Sequence, residues 1–355
     1  MTPNALITGW GMYAPSRVMT NDDLSKLVDT SDEWIVSRTG IKERRIAADD
    51  ETTTTLAVNA ARDALVVAGV EASDVDLVIV GTCSPDYYMP ATAVTVAHEL
   101  GAHRAAGFDL MAACSGFVFS LATATAYVRS GMYRNVIVVG VELLSRFLDY
   151  TDRNTCVLFG DGAGAVLVSA SDQPGGLLGL DMYSDGSGKE GIIFPAGGSA
   201  CPTTPKTVAE GGHFVHMAGK EVYRYATRQL AESSRAALAN AGLGVDDIDQ
   251  FLFHQANLRI IESVQGAVGI PSDKTYLNIE KYGNTSAASV PMALVEAVAA
   301  GRIKPGDRLL MAAFGAGYTA GAAVVEWTAD PARAFLAPGS QTRLGQPQRE
   351  LVAAT

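Results

Sequence analysis

The sequence predicts an α/β protein in which one unit occurs twice, and two observations carry this. The stretch "ARDALVVAGVEASDVDLVIV" (61–80) aligns without gaps on "SRAALANAGLGVDDIDQFLF" (234–253), with seven of 20 positions identical. Each reads as an alanine-rich helix, a Gly stop, an Asp-bearing turn and a buried apolar strand. The stretch "CSGFVFSLATATAYVRSG", from Cys114, likewise falls on "NTSAASVPMALVEAVAAG", from Asn284. Both are small-residue helices that end in Gly before a strand, "NVIVVG" or "RLLMAAFG". Two matches in one order and at nearly one offset, 173 and 170 residues, point to duplication and not to chance.

Composition limits what such a protein can do. With 355 residues, 48% hydrophobic and 18% charged, the chain can bury one large core or two fused ones. A formal net charge of −11 lacks the basic face of a general nucleic-acid binder, so an anionic partner must find a local basic patch. The four cysteines, Cys83, Cys114, Cys156 and Cys201, form no C-x-x-C pair. That argues against a zinc knuckle or a thioredoxin-type motif and for a reducing, cytoplasmic setting. The opening "MTPNALITGWG" lacks the basic and then apolar run of a signal peptide. Leu110 to Val128 is uncharged and as long as a membrane span. It is mostly Ala, Ser, Thr and Gly, which suits a helix enclosed inside a large protein, so no membrane contact is expected.

In chain order, the first half covers 1–172 and carries Cys114; the second covers 173–329 and carries His254 and Asn284. The seam lies in "SASDQPGG" (169–176), where turn formers cluster. Residues 330–355, rich in Pro, Gly, Gln, Ala and Arg, read as a tail. Cys114 stands where a strand turns into a helix. The free N–H groups and positive dipole there favour a thiolate and should lower its pKa, and Gly116 leaves room for a substrate carbonyl. Taken alone, Cys114 reads as a small core residue, as the other three cysteines do. His254 directly follows the apolar strand 251–253, at the end where α/β folds open onto their sites. It suits acid/base work or hydrogen-bond donation, or simply a cap. Asn284, after Gly283 and before small residues, would by itself only cap its helix. The duplicated fold brings all three to one place, which favours the functional reading.

At these residues the sequence resembles the β-ketoacyl-acyl-carrier-protein synthase III family of thiolase-like condensing enzymes. The motifs are "AACSGF" (112–117), "FHQANLRII" (253–261), "YGNTSAAS" (282–289), "DGAGAVL" (161–167) and "DTSDEWIVSRTGIKERRIA" (29–47). The resemblance implies a five-layer αβαβα fold, a homodimer, and a catalytic set of Cys114, His254 and Asn284. It implies that an acyl group passes from acyl-CoA to Cys114, and that malonyl on acyl-carrier protein then condenses with it, losing carbon dioxide, to initiate fatty-acid synthesis. No permanently bound cofactor is implied. Backbone N–H groups of Cys114 and Ala316, the latter in "FGAGYTAG", would form the oxyanion hole. Thr30, Trp34, Arg38, Arg153 and Asn257 resemble coenzyme A contacts, and Trp34 and Arg38, four apart, share a helix face. The same scaffold also serves secondary metabolism, as a polyketide starter enzyme or as an acyl-Cys enzyme transferring to oxygen or nitrogen. A dead fold that only binds is a third reading, under which Cys114 would not acylate.

Several motifs lead nowhere. "GAGYTA" (315–320) matches a dinucleotide pattern but runs into the strand "GAAVVEW", with no helix N-terminus for a pyrophosphate, and "FGDGAGAV" fails likewise. His213 and His216 have no further ligand nearby in sequence, so no metal is expected. Two positions depart from the family pattern. The helix after His254 carries Glu262, Gly266 and Ala267 where some members have lysines, which leaves Arg259, Lys220 and Arg224 as the patch for an acidic carrier protein. Met89 stands where some members place a Phe that limits the primer pocket across the dimer interface. Met is pliable, so a roomier pocket is expected. In an acyl-CoA panel read by intact mass, chains longer than acetyl should load at least as fast as acetyl; a clear preference for acetyl would remove this reading of Met89.

Overall fold

The computed structural model describes residues 2–336, and the repeated segments form matching elements in it. Helix α2 (Thr53–Ala68) follows α1 (Asp32–Thr39); α3 is Thr92–Leu100 and α4 Gly116–Arg129. In the second half come α5 (Gly219–Ala241), α6 (Leu258–Val268) and α7 (Ser289–Ala299). The strands of the first half are β1 (Asn4–Tyr13), β2 (Leu77–Gly81), β3 (Ala106–Leu110), β4 (Asn135–Glu142) and β5 (Gly162–Ser171). Those of the second are β6 (Gly176–Tyr183), β7 (Gln250–Phe253), β8 (Arg308–Gly315) and β9 (Thr319–Glu326). The first sheet has the order β1-β5-β4-β2-β3 and the second the matching order β6-β9-β8-β7. Where β3 would recur, the second half has only a single parallel bridge, Phe251 to Thr275.

The shared sequence letters have structural reasons. Gly69 and Gly242 end α2 and α5 in the left-handed region, at φ 67° and 69°. Asp76 and Asp249, the second members of the two D-x-D turns, each hold the start of the neighbouring strand. Their carboxylates accept from Asn135 N–H and Arg308 N–H, at 2.9 Å each. Strand β2 and the 136–141 stretch of β4 are apolar throughout because both faces are covered.

The layers run α2, first sheet, α4 with α7, second sheet, and α5 with α6. Helices α4 and α7 touch both sheets, which explains the uncharged run from Leu110: α4 is enclosed by protein. Among the described residues no helix is long and apolar enough to cross a membrane. One continuous core joins the halves, with Trp10 of β1 and Trp327 beyond β9 packed at 5.0 Å between ring centroids. Of the predicted tail, Ala332–Leu336 forms a short helix with Ala334 against this core, and 337–355 lie outside the described residues.

One expectation needs correction. The 170-residue offset makes Cys114 the counterpart of Asn284, but the structure keeps the 173-residue offset through both helix starts. Ala113 and Ser286, the residues that open the two 3₁₀ turns, share a left-handed backbone, φ 48° and 47°. The counterpart of Cys114 is therefore Ala287, and Asn284 lies two residues before its turn. The offset of 170 returns only at the helix ends, because α7 has 11 residues and α4 has 14.

The two turns meet at backbone distance. A Cβ built on Gly140 of β4 would lie 2.2 Å from the carbonyl oxygen of Ala287. Gly140→Ala should therefore push the 286–288 turn away and destabilise by roughly 1–3 kcal/mol, as overpacking does. A lowered denaturant midpoint with an unchanged slope would show this; an unchanged midpoint would contradict the packing described.

Candidate active site

Cys114, His254 and Asn284 line one cavity of about 650 Å³, with Ser286, Phe314, Ala316 and Thr319 also in its wall. Arg38, Asn154 and Asn257 belong to the same cavity. Each of the three central residues is held by its backbone. The 3₁₀ turn Ala113–Ser115 carries Cys114, and α4 begins two residues later, at Gly116. Gly315 is what lets the 314–319 loop approach: a Cβ there would sit 2.6 Å from Cys114 N. His254 extends β7 by one bond, N–H to Ala312 C=O at 2.8 Å. Gln255, next in chain, is fixed by its N–H to Ser289 Oγ at 2.6 Å and its side chain to the Phe253 carbonyl at 2.9 Å. Asn284 donates N–H to Leu158 C=O at 2.8 Å and accepts from Gly160 N–H at 3.0 Å.

Hydrogen bonding orients the polar groups. Asn284 Oδ1 accepts from Ser286 N–H at 2.8 Å, which orients the amide and leaves its NH₂ as the unengaged end. His254 is buried, its Nδ1 without a partner, and burial pulls its pKa down to about 3. The ring is therefore neutral at any ordinary pH.

The thiol departs from the sequence expectation. Burial, with the Glu142 carboxyl adding to it, pushes Cys114 up to about 12, although a hydrogen bond from Ser286 Oγ at 3.2 Å lowers it in part. The helix dipole does not prevail, because the α-helix starts beyond the cysteine and desolvation outweighs it. At rest the sulfur is a thiol.

The remaining expected residues fall into three places. Two guanidinium groups stand over the ring of Trp34 of α1, Arg38 at 4.7 Å and Arg153 at 5.2 Å from its centroid. Nearby, Thr30 Oγ1 is buried with no partner, and Asn257 caps α6 while donating to Arg38 C=O at 3.0 Å. Lys220 and Arg224, on α5, and Arg259, on α6, are exposed. Met89 is 86% exposed beside Tyr87 and Tyr88, away from this chain's own cavity. Two residues at the site were not singled out from sequence, Ser286 and Glu142. Ser286 lay inside a quoted small-residue motif; Glu142 is a carboxylate ending the apolar strand "NVIVVGVE", which was the available signal.

With this geometry in view, the comparisons with known proteins fall in line. Residues 108–186 match the family described as 3-oxoacyl-[acyl-carrier-protein (ACP)] synthase III, and 238–327 match its C-terminal family. A β-ketoacyl-[acyl-carrier-protein] synthase III of Roseiflexus sp. (strain RS-1) is 50% identical over 93% of this chain and 100% of its own. The crystal structure of a 3-oxoacyl-[acyl-carrier-protein] synthase III from Aquifex aeolicus VF5 is 43% identical, with a TM-score of 0.84 over 91% of this chain and 100% of its own. The priming β-ketosynthase from the R1128 polyketide biosynthetic pathway is 39% identical, with a TM-score of 0.87 over 93% of this chain and 98% of its own. The fold and the cavity define a thiolase-like condensing acyltransferase. Within that class, the chain belongs to the β-ketoacyl-[acyl-carrier-protein] synthase III family.

The neutral, buried imidazole has a measurable consequence. Its folded pKa, about 3, lies below the unfolded value of about 6.5. Between these values only the unfolded chain binds the proton, so stability falls as pH falls through that window. From pH 7 to pH 5 this group alone should cost about 2 kcal/mol. Urea unfolding at both pH values should show a smaller loss for His254→Gln than for the parent; equal losses would mean the ring is not buried neutral.

Proposed function

We propose that this chain is an initiating condensing enzyme that takes its primer from acyl-CoA and its extender from malonyl-acyl-carrier protein, without a bound cofactor. The observation that carries the reading is one cavity lined by a thiol, a neutral imidazole and an amide whose free end is a donor. In the first step Cys114 Sγ attacks the thioester carbonyl, and the acyl group moves from coenzyme A to the sulfur. Negative charge on the carbonyl oxygen is met by the N–H groups of Cys114 and Ala316, which the Gly315 approach brings close. In the second step malonyl loses carbon dioxide. His254 Nε2–H and Asn284 Nδ2–H donate to the enolate oxygen that forms, and the resulting carbanion attacks the acyl-Cys carbonyl. Donors held rigidly in a dry cavity act most strongly on charge that exists only in the transition state; one such donor is worth about 3 kcal/mol.

Coenzyme A would enter along Arg38 and Asn257, with its adenine inserted between the faces of Trp34 and Arg153. Thr30 Oγ1, buried and unpaired, has a free hydrogen bond to give there. The exposed cations Lys220, Arg224 and Arg259 offer an acidic carrier protein a sparse dock. A homodimer would cover the exposed Tyr87, Tyr88 and Met89 and bring Met89 to the partner's primer pocket. The likeness to the polyketide priming synthase supports a second reading, in which the same acyl-Cys chemistry supplies a polyketide starter.

Intact mass after mixing with acyl-CoA should show one acyl group on the parent and none on Cys114→Ala. Asn284→Ala and His254→Ala should still acylate, yet condense malonyl-acyl-carrier protein about 10²- to 10³-fold more slowly. A Cys114→Ala protein that still acylates, or donor variants that condense at the parent rate, would refute this assignment.

A further inference from the structure

Behind Cys114 lies a polar cluster in an otherwise apolar layer. Ser286 Oγ is 3.2 Å from Cys114 Sγ and 2.9 Å from Glu142 Oε1. Glu142 is fully buried at the end of β4, and Ser286 is 1% exposed. The groups acting on Glu142 are hydroxyls, a thiol and a peptide N–H, none of them cationic. A buried carboxyl without a cation is costly, and a purely structural tie between strand ends would not require one.

The hydrogen bonds are directional. Ser84 Oγ accepts from Leu143 N–H at 2.9 Å, and Thr82 Oγ1 accepts from Ser84 N–H at 3.1 Å. Each hydroxyl therefore turns its own proton onto Glu142 Oε2, at 2.5 and 3.3 Å, which fixes that oxygen as an acceptor. The Cys83 N–H reaches both oxygens at 3.2 Å, and the Cys83 thiol lies 3.2 Å from Oε1. Oε1 is the oxygen that faces Ser286, whose single hydroxyl proton can point to it or to Cys114 Sγ. Ser286 is held there with φ 47°, a conformation costing a residue with a side chain about 1–3 kcal/mol. Its N–H is tied to Asn284. The titratable groups facing Glu142 are the two thiols, Cys83 and Cys114.

We propose that Ser286 and Glu142 relay the proton of Cys114 during acylation. As Sγ attacks the acyl-CoA carbonyl, its proton passes to Ser286 Oγ, and the Ser286 hydroxyl proton passes to Glu142 Oε1. The new carbon–sulfur bond to Cys114 forms and the one to coenzyme A breaks. The proton then returns along the same path to the departing coenzyme A sulfur, so the protein ends with its starting charge. This removes the difficulty of a nucleophile that rests as a thiol beside an imidazole too weakly basic to deprotonate it. Ser286 touches the reacting sulfur; Glu142 is a positioning residue and proton store that acts through Ser286. The proposal rests on Cys114 being the acylated residue.

Rapid-quench acylation of the full chain by acyl-CoA, read by intact mass from pH 6 to 9, tests it. Ser286→Ala and Glu142→Gln should each slow acylation at pH 7 by about 10²- to 10³-fold, the range of a lost general base. Their rates should rise about tenfold per pH unit, as hydroxide replaces the relay, while the parent profile stays flatter. Ser286→Thr, which keeps the hydroxyl, should recover most of the rate. The relay is overturned if both variants acylate at the parent rate. It is equally overturned if they slow with the parent's pH profile, or if Ser286→Thr does no better than Ser286→Ala. A parent that takes up no acyl group, like Cys114→Ala, would instead remove the nucleophile assignment and the relay with it.

Discussion

The back-to-back packing of two small-residue helix starts between two sheets is the constraint on which the rest depends. Gly140 has no side chain, so the carbonyl of Ala287 can press directly on β4. That contact brings the turn bearing Ser286 to within hydrogen-bond distance of Cys114, although the two lie in different halves of the chain. Gly315 does the same from the second sheet, bringing the 314–319 loop against the Cys114 amide. Side chains of ordinary size at these points would leave a cysteine, an imidazole and an amide on three separate surfaces.

The electrostatics follow from that closeness. A layer of backbone and methyl groups excludes water, and exclusion neutralises both the thiol and the imidazole. For the imidazole this is useful as it stands, because a neutral ring donates without carrying charge into the cavity. For the thiol it is an obstacle, since the reactive form is the anion. The same dry surroundings that keep the ring neutral withhold charge from the sulfur.

Much of this was legible in the sequence. The duplication could be read from Ala-Gly pairs and D-x-D turns, and the structure explains both: left-handed helix stops, and carboxylates that hold the next strand. The location of His254 followed from its place after a buried strand, and the small-residue composition of α4 from its enclosure. Three things were not legible. A comparison without gaps could not see that α7 is three residues shorter than α4, so it paired Cys114 with Asn284 where the backbone pairs it with Ala287. The sign of the thiol's shift depended on burial, which helix polarity does not report. The contact between Ser286 and Glu142 joins residues 144 positions apart, and no local pattern encodes it.

The shared core carries a consequence for the architecture as a whole. Trp10 near the beginning of the chain packs on Trp327 just beyond the last strand, and one apolar cluster runs through strands of both sheets and the helices between them. Each repeat thus completes the other's interior. A single repeat produced by itself would leave one side of its inner helix bare to solvent, which favours folding of the two halves as one cooperative unit.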